Sequence, residues 1–266
     1  MNPGLSPGFF YFYKNNFMEK ALEVFVDKWK SKKYIEGILL SGSYAVGLQN
    51  ENSDIDIRLI FNSKYKKNKK GLEVINNYKF SHLGRTAEST SKTFSTEFFN
   101  HNKFEARIFS IGKVLYDQNN KTESLIEKAK VYLHTPFIHQ TLNKEDIDTN
   151  MYALYSSKIY LESLSENSSF FFYHYFNFLR QAMRFYAKFL GYEFFLDSKT
   201  EQILTDEVYQ KTYSWDKFPD HEFVKIWLPS LGLDHANKKS VALIYYYLEK
   251  VIAKVDEEKF TMSWEE

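Results

Sequence analysis

The sequence contains no cysteine. A disulfide framework, a thiolate zinc site and a cysteine nucleophile are therefore all excluded. An excess of charge of one sign is also missing, because 35 Lys and Arg residues nearly balance 34 Asp and Glu residues and the formal net charge is +1. This balance argues against a protein whose main task is to coat long nucleic acid. Nucleic acid remains a conceivable partner through a local basic patch, but not the favoured one.

Long apolar runs are absent as well. No stretch of the chain approaches the roughly 18 apolar residues of a membrane-spanning helix. The N-terminal segment has no basic region ahead of its short aromatic run, so it is not expected to be a signal peptide. We therefore expect a soluble, cytoplasmic protein that does not interact with a membrane.

What the sequence does contain is an unusual share of aromatic residues, with 25 Phe, 20 Tyr and 4 Trp. Apolar residues make up 44% of the 266 residues, enough to bury the core of one large or two modest domains. Phe and Tyr are concentrated in residues 170–195, where they could form a stacking platform for bases. Their helical spacing favours instead the core of a helical domain.

The first half of the chain mixes strand and helix patterns. After an irregular arm over residues 1–13, a capping box at Asn16 and Glu19 predicts an amphipathic helix. Apolar and polar residues alternate over 54–61, which predicts a strand with two unlike faces. Further strands are predicted over 36–41, 72–75, 78–83 and 106–115, with a hairpin turn at Asn76-Asn77, and helices over 91–100 and from Asn120 onwards.

The second half reads as helical throughout. Helices are predicted over 144–164, 168–190, 198–210, 220–231 and 238–255, with Gly191 and Pro219 as breaks. We therefore predict an α/β (α+β) domain with a mixed sheet over residues 1–137, followed by an all-α helical bundle over 138–266. An active site would lie in the cleft between two such domains.

One motif has a direct chemical interpretation: Gly42-Ser43, then ten residues, then Asp54-Ile55-Asp56. Asp54 and Asp56 lie two apart on the predicted strand, so their carboxylates project from the same face and can hold Mg²⁺ or a pair of metal ions. Gly42 lets the backbone approach a phosphate, and Ser43 opens a turn or helix whose N–H groups can receive anionic oxygens. Separately these are an ordinary turn and an ordinary polar edge; together they favour nucleoside triphosphate chemistry.

In this combination Gly42-Ser43 and Asp54-Ile55-Asp56 resemble the signature of the DNA polymerase beta-like nucleotidyltransferase superfamily. The length and the helical second half are similar to those of aminoglycoside and other small-molecule nucleotidyltransferases. The resemblance implies two Mg²⁺ ions, an NTP substrate, and transfer of a nucleoside monophosphate to an acceptor hydroxyl with release of pyrophosphate. It implies that Gly42 and Ser43 contact the triphosphate, and that Asp54 and Asp56 are catalytic metal ligands.

Other segments resemble the same family less specifically. Residues 107–117 are similar to the strand that closes the catalytic domain, and residues 204–209 and 218–220 are similar to parts of the helical domain. Lys199 resembles a phosphate-facing lysine. Arg180 lies one turn before Arg184 on an aromatic helix, where the two could reach the triphosphate or an acidic acceptor, or form an internal salt bridge.

One departure from the family concerns the general base. The family usually carries a third carboxylate on the next strand, but residues 78–83 offer only Ser81 and His82. His82 could replace the carboxylate as the base, or it could be an ordinary, partly buried strand histidine. The acidic residues nearby in the sequence, which the pattern does not place on the required face, are Glu73, Glu88 and Glu105.

The favoured function is therefore metal-dependent nucleotidyl transfer to a small-molecule hydroxyl. A first alternative is an RNA- or protein-modifying nucleotidyltransferase of toxin–antitoxin type, in which the lysines of loop 64–70 would guide an RNA end. That loop also fits an ordinary solvated loop. A second alternative is a catalytically impaired nucleotide-binding module, because the third carboxylate is missing.

Overall fold

The computed structural model describes residues 7–137, 142–193 and 197–262. The chain divides into two units, one of Met1–Pro136 with Lys211–Trp215 and the other of Phe137–Gln210 with Asp216–Glu266. All five strands of the sheet lie in the first unit. None of the described helices combines the length and the apolar character needed to span a membrane.

The first unit is built on a mixed sheet with the strand order β3-β4-β2-β1-β5. The central strand β2 (Ile55–Phe61) pairs antiparallel with β1 (Ile35–Ser41), which in turn pairs antiparallel with the edge strand β5 (Lys113–Asp117). On the other side, β2 pairs parallel with β4 (Tyr78–Thr86), which pairs antiparallel with β3 (Lys69–Ile75). The mixed sheet and the β3–β4 hairpin are thus confirmed.

One face of this sheet is covered by α1 (Pro7–Lys30). The predicted apolar stripe is confirmed, since Phe25 and Trp29 are buried in the core against Ile55, Ile57 and other strand residues. The predicted helix start is wrong, because the helix begins nine residues before Asn16 and includes most of the expected arm. Proline is compatible with the first helical position, where its missing N–H has no partner to lose. Residues 1–6 of that arm lie outside the described residues.

The opposite face is covered by three helices, α3 (Ala87–Phe99), α4 (Phe104–Ser110) and α5 (Lys121–His134). The strand predicted over 106–115 is therefore wrong in its first part, which belongs to α4. Ala106 and Phe109 are both buried, and a spacing of three places them on one side of a helix. The helix predicted over 91–100 begins earlier than expected.

The start of α5 is capped differently from the sequence prediction. Asn120 stands at the N-cap position but makes no capping hydrogen bond. Instead, the carboxylate of Asp117 accepts hydrogen bonds from the backbone N–H groups of Thr122 and Glu123, both at 3.0 Å. The carboxylate of Asp117, at the end of β5, therefore caps the N-terminus of α5 in place of the Asn120 side chain.

The segment 211–215 belongs to the first unit although sequence reasoning placed it in the helical half. Its contact there is Arg107, a buried residue of α4 that was predicted to lie on a strand. The guanidinium donates a hydrogen bond to the carbonyl of Tyr213 and lies 3.8 Å from the ring centre of Trp215. Cation–π stacking and charge-assisted hydrogen bonds together hold this segment.

The second unit is helical, as predicted. Its central helix buries aromatic residues including Phe171, Tyr175 and Phe178, so the aromatic-rich stretch forms core rather than a stacking platform over the described residues. The single helix predicted over 198–210 is divided at Asp206, and the one over 220–231 ends early. The helices are α6 (Lys144–Ser163), α7 (Ser169–Phe189), α8 (Thr200–Thr205), α9 (Glu207–Thr212, whose last two residues fall in the first unit), α10 (His221–Trp227) and α11 (Lys238–Val251).

Asp220 forms a hydrogen-bonded centre in the second unit. Its carboxylate accepts hydrogen bonds from the hydroxyls of Tyr186 and Tyr247 and from the N–H groups of Glu222 and Phe223 at the start of α10. Burial disfavours the charged carboxylate, but these hydrogen bonds outweigh it and lower the pKa of Asp220. Asp220 is therefore a structural residue that joins three helices.

Candidate nucleotide and metal site

The predicted motif residues meet where β1 ends. Gly42 follows β1 directly and begins the short helix α2 (Gly42–Val46) with a φ of +65°. A Cβ placed on Gly42 would lie 2.3 Å from Oδ2 of Asp56, so the carboxylate rests against the glycine backbone. Next to it, the hydroxyl of Ser41 donates a hydrogen bond of 3.2 Å to the carbonyl of Asp56. Only glycine permits both this backbone angle and this contact.

The two aspartates lie at the beginning of β2. Asp54 immediately precedes the strand rather than belonging to it, and Asp56 is its second residue. Ile55 and Ile57 are buried in the α1 core, and strand alternation then places both aspartates on the other face. Both carboxylates are half-buried and therefore accessible to a ligand.

This donor set fits a magnesium ion that arrives with a triphosphate. Among the described residues, no three Asp, Glu, His or Cys side chains converge as a complete metal site. Mg²⁺, however, is commonly held by one or two carboxylates together with substrate phosphates and water. The carboxylate of Asp56 itself occupies the space beside the Cα of Gly42 that a Cβ would fill, so the start of α2 lies directly against a candidate metal ligand. Asp54 and Asp56 are thus the residues that would hold the ion.

The neighbouring strand brings Ser81 beside Asp56. In the parallel pairing of β2 with β4, Asp56 lies opposite Ser81. In the antiparallel pairing of β4 with β3, Ser81 lies opposite Leu72, so these three residues form one row across the sheet. Register partners point to the same face of a sheet, so this is the face that carries the aspartates. The position next to Asp56 therefore holds a hydroxyl and no carboxylate.

Glu105 is engaged elsewhere. Its carboxylate accepts two hydrogen bonds from the guanidinium of Arg58, at 2.9 and 3.1 Å. The side chains are only 5% and 12% exposed, so the ion pair is buried. Both oxygens of the Glu105 carboxylate are held by the buried guanidinium, and this geometry favours a structural role.

The other acidic residues near the motif do not supply the missing carboxylate. Glu73 lies on β3 and its carboxylate pairs with Lys28 of α1 at 2.6 Å, on the face opposite Asp56. Glu88 is exposed in the first turn of α3. Neither residue shares the β2–β4 row that includes Asp56 and Ser81.

His82 lies on the wrong face to act as a base for this site. It pairs in register with Ile57, is 7% exposed, and packs against the rings of Phe25 and Trp29 at centroid distances of 6.0 and 5.0 Å. Burial lowers the pKa of His82. The structure therefore supports the structural interpretation of this histidine.

Arg180 and Lys199, which the sequence analysis connected with the triphosphate, lie in the second unit. Arg180 donates to the carboxylate of Asp197 at 2.7 Å, and Arg184 shares the same partner at 3.2 Å. Lys199 is exposed at the N-cap of α8. The ion-pair alternative for the arginines is thus observed, and nucleotide contacts of Arg180 and Lys199 stay a prediction.

The lysine-rich loop is partly tied to the first unit. The ammonium of Lys69 donates to the Tyr34 hydroxyl at 3.1 Å and lies over the stacked rings of Tyr34 and Tyr65. Hydrogen bonds with Tyr65 and Tyr34 raise the pKa of Lys69. The remaining lysines of the loop are exposed: Lys64, Lys66, Lys67 and Lys70.

A cavity of about 620 Å³ lies in the first unit and was not anticipated from the sequence. It is lined by Phe17 and Met18 of α1, Tyr44 of α2, the loop 49–53, and residues 76–79 at the β3–β4 turn. Burial raises the pKa of Tyr44, and the charges of Tyr78 and Asp54 add to the shift. Ser53, which lines the cavity, immediately precedes Asp54 in the chain. The only sequence signal for it is the cluster of Gln and Asn residues between the two halves of the motif.

A family-model match covers the part of the chain that contains the motif. Residues 24–121, less than half of the chain, match the family model described as polymerase beta, nucleotidyltransferase. The search of curated proteins gave no significant match. A solved nucleotidyltransferase-like protein from Exiguobacterium sibiricum 255-15 is similar over 88% of this chain and 74% of its own, with 12% identity and a TM-score of 0.42. That similarity is too low to carry an argument about function.

Proposed function

We propose that the protein transfers a nucleoside monophosphate from an NTP to an acceptor hydroxyl, because residues 24–121 match the polymerase beta nucleotidyltransferase family. The observation that carries this proposal is the contact between the backbone of Gly42 and the carboxylate of Asp56. It brings the backbone at the start of α2 directly against a carboxylate that can hold a divalent cation beside a triphosphate.

The roles of the residues follow from this arrangement. The backbone at Gly42 and the hydroxyl of Ser43 would contact the triphosphate, while Asp54 and Asp56 would hold Mg²⁺ against it. When bound, Mg²⁺ would neutralise phosphate charge and polarise the reacting phosphorus.

The proposed transfer is direct and forms no covalent enzyme intermediate. The acceptor oxygen forms a bond to the α-phosphorus, and the bond from that phosphorus to the bridging oxygen breaks. Pyrophosphate leaves with the electron pair, and the acceptor proton passes to solvent. The chain's contribution is to position the two substrates and to balance their charge.

The test uses the purified full-length protein with Mg²⁺ and each labelled NTP. We expect pyrophosphate release, its loss on removal of divalent ions with EDTA, and its loss in Asp54→Asn and Asp56→Asn. Asp234→Asn, which removes an exposed carboxylate in the second unit, is the matched control and should keep full activity. Near-normal turnover in a folded Asp56→Asn variant would contradict the proposal.

A nucleotide-binding protein with little or no turnover is a second candidate, and Ser81 favours it. A neutral hydroxyl stands beside Asp56 where a carboxylate could act as general base. This candidate predicts NTP binding without pyrophosphate release.

The variant Ser81→Asp separates the two candidates. It should raise turnover if only the base is missing, since general base catalysis typically contributes about 10²–10⁴-fold. Ser81→Asn, which has the same shape without a basic oxygen, should not raise it. Fast turnover of the unmodified protein would exclude the second candidate.

A further inference from the structure

β3 is an edge strand of the sheet, so only one of its two sides is paired with another described strand. The two-residue turn that follows Ile75 makes Ile75 and Tyr78 a hydrogen-bonded pair, and such pairs alternate along an antiparallel ladder. The backbone N–H and C=O groups of Lys70, Leu72 and Val74 therefore point away from β4. They have no hydrogen-bond partner among the described residues, and an added strand could pair with all three.

Two large apolar side chains are exposed on the same strand. Leu72 and Val74 are 58% and 65% accessible. They lie on either side of Glu73 in the sequence, so both project from one face of the sheet. A single exposed apolar residue needs no explanation, but here two of them coincide with unpaired backbone groups. A strand that paired with β3 would cover both, because neighbouring side chains on one face of a sheet lie in contact.

The charge around this edge is strongly positive. Residues 64–75 contain five lysines and a single acidic residue, Glu73, whose carboxylate already pairs with Lys28. Four of the lysines are exposed: Lys64, Lys66, Lys67 and Lys70. Residues 64–68 lead directly into β3, so a strand added to β3 and extended past its first residue would run beside them. Charge complementarity therefore favours an acidic occupant.

A second copy of the chain fits this edge poorly. If two β3 strands paired with each other through Leu72, each copy would bring its own lysines of loop 64–68, and Glu73 would add no free counter-charge. Lysines at a sheet edge commonly protect it against such self-association.

Nucleic acid also fits this edge less well than a peptide. Phosphate oxygens are hydrogen-bond acceptors, so they could bind the lysines but would leave the outward C=O groups of Lys70, Leu72 and Val74 without donors. An extended peptide carries one donor and one acceptor on each residue, and this alternation matches the edge of a strand.

We infer that the β3 edge is a docking surface for an extended, acidic segment of another protein. The segment adds to the sheet antiparallel to β3, with apolar side chains beside Leu72 and Val74 and carboxylates beside the lysines. Backbone hydrogen bonds provide affinity, and the charged end fixes the direction of the added strand. The inference is independent of the proposed transfer reaction. Lys69 pairs with Gly84, at the end of the sheet away from Asp54.

The probe is a nine-residue peptide, blocked at both ends, with the sequence Thr-Val-Thr-Val-Thr-Glu-Asp-Glu-Glu. Its acidic residues come last because an antiparallel strand reaches the lysines at its C-terminal end. Fluorescence anisotropy with the full-length protein should show saturable binding at low salt. Replacing the four acidic residues with lysine should weaken binding at least about tenfold. N-methylation of alternate residues should weaken it at least about tenfold for the set that faces β3 and little for the other set.

Variants of the protein connect binding to the edge. Val74→Pro removes an N–H group that points away from β4, so it should keep the β3–β4 ladder and weaken peptide binding at least about tenfold. Val74→Ala, which leaves the backbone unchanged, should weaken it about two- to tenfold. Val131→Ala is the matched control, because Val131 on α5 is 66% accessible and lies outside the edge.

A second pair of variants tests the charge. Lys66→Ser combined with Lys67→Ser should weaken peptide binding by about two- to twentyfold, as expected for the loss of two exposed ion pairs. Lys250→Ser combined with Lys254→Ser removes two exposed lysines of the second unit and should have no effect.

Three results with the peptide would overturn the inference: no saturable binding, equal binding of the lysine peptide, or equal effects of the two N-methylated sets. Two further results would assign the surface to another occupant. A dimer in analytical ultracentrifugation that Val74→Pro dissociates would assign the edge to a second copy. A ten-nucleotide uridine RNA that displaces the peptide and still binds Val74→Pro would assign the lysines to nucleic acid.

Discussion

The carboxylate of Asp56 lies against the Cα of Gly42, so close that a Cβ on Gly42 would be 2.3 Å from its Oδ2 atom. Two residues that are separated by a helix and a loop in the sequence thus share one small space at the end of β1. The closeness explains why the glycine and the Asp-x-Asp pair belong to one motif.

Gly42→Ala should abolish NTP use, because the new methyl group displaces the Asp56 carboxylate. Gly47→Ala is the matched control, since Gly47 also has a positive φ, of +77°, but a Cβ there meets nothing within 4 Å. The backbone strain of about 1–2 kcal/mol is common to both variants. Thermal unfolding should show a loss of stability in both variants, larger in Gly42→Ala because of the clash with Asp56, and pyrophosphate release should be lost only in Gly42→Ala.

Ser43→Ala extends this comparison. One lost hydroxyl contact to the triphosphate costs about 0.5–1.5 kcal/mol, so NTP use should weaken modestly. Equal effects of Ser43→Ala and Gly42→Ala on the KM for NTP would mean that Gly42 is only a turn residue.

Glu105→Gln should destabilise the protein by about 3–5 kcal/mol, because it leaves the buried guanidinium of Arg58 without its counter-charge. Turnover of the folded fraction should remain unchanged, which denaturant titration and kinetics on one preparation can establish. The double variant Arg58→Met with Glu105→Met should recover part of the stability. If turnover falls and stability does not, Glu105 is the missing carboxylate after all.

Arg180→Ala tests the predicted nucleotide contact. The ion pair with Asp197 is exposed, with side chains 54% and 50% accessible, and such pairs contribute at most about 1 kcal/mol. The melting temperature should therefore change little. A roughly tenfold or larger rise in the KM for NTP would support a contact with the triphosphate, as loss of a charge-assisted hydrogen bond predicts. Unchanged kinetics would restrict Arg180 to the pair with Asp197.

Tyr247→Phe should reduce the resistance of the second unit to acid. The pKa of Asp220 is lowered in the folded state, so its contribution to stability is present above the unfolded pKa near ~3.9 and is lost as the pH falls through the lower, folded value. Removing one hydroxyl donor diminishes that contribution. The loss at neutral pH should be about 1.5–3 kcal/mol, as expected for a hydrogen bond to a charged group.

The same variant has an alkaline signature. Burial and the hydrogen bond to Asp220 raise the pKa of Tyr247 to about 12, so this tyrosine stabilises the fold below its unfolded pKa near ~10 and loses that effect as the pH rises towards 12. Melting temperatures measured from pH 2.5 to 11.5 should show that Tyr247→Phe changes the dependence of stability on pH at both the acid and the alkaline end. Tyr173→Phe, at an exposed tyrosine, is the control. Identical profiles for the two variants would refute the role of Asp220 as a hydrogen-bonded centre.

Local patterns were sufficient for much of the first unit. Alternation identified β2, and the Asn76-Asn77 pair identified the hairpin, because both signals depend on a few adjacent residues. The predicted start of α1 and the strand predicted at residues 106–110 were wrong because a few adjacent residues do not determine the packing. A short apolar spacing fits a helix or a strand, and the packing of Ala106 and Phe109 against the sheet decides between them.

The sequence by itself determined the motif: a glycine at a strand end, a serine after it, and two acidic residues two apart at the start of an alternating strand. The tertiary structure alone decided which other groups surround it. The β2–β4 register put Ser81 beside Asp56 and turned His82 to the opposite face, and the buried pair with Arg58 occupied Glu105. Register and ion pairing join residues far apart in the chain, and no local periodicity encodes which distant side chains will meet.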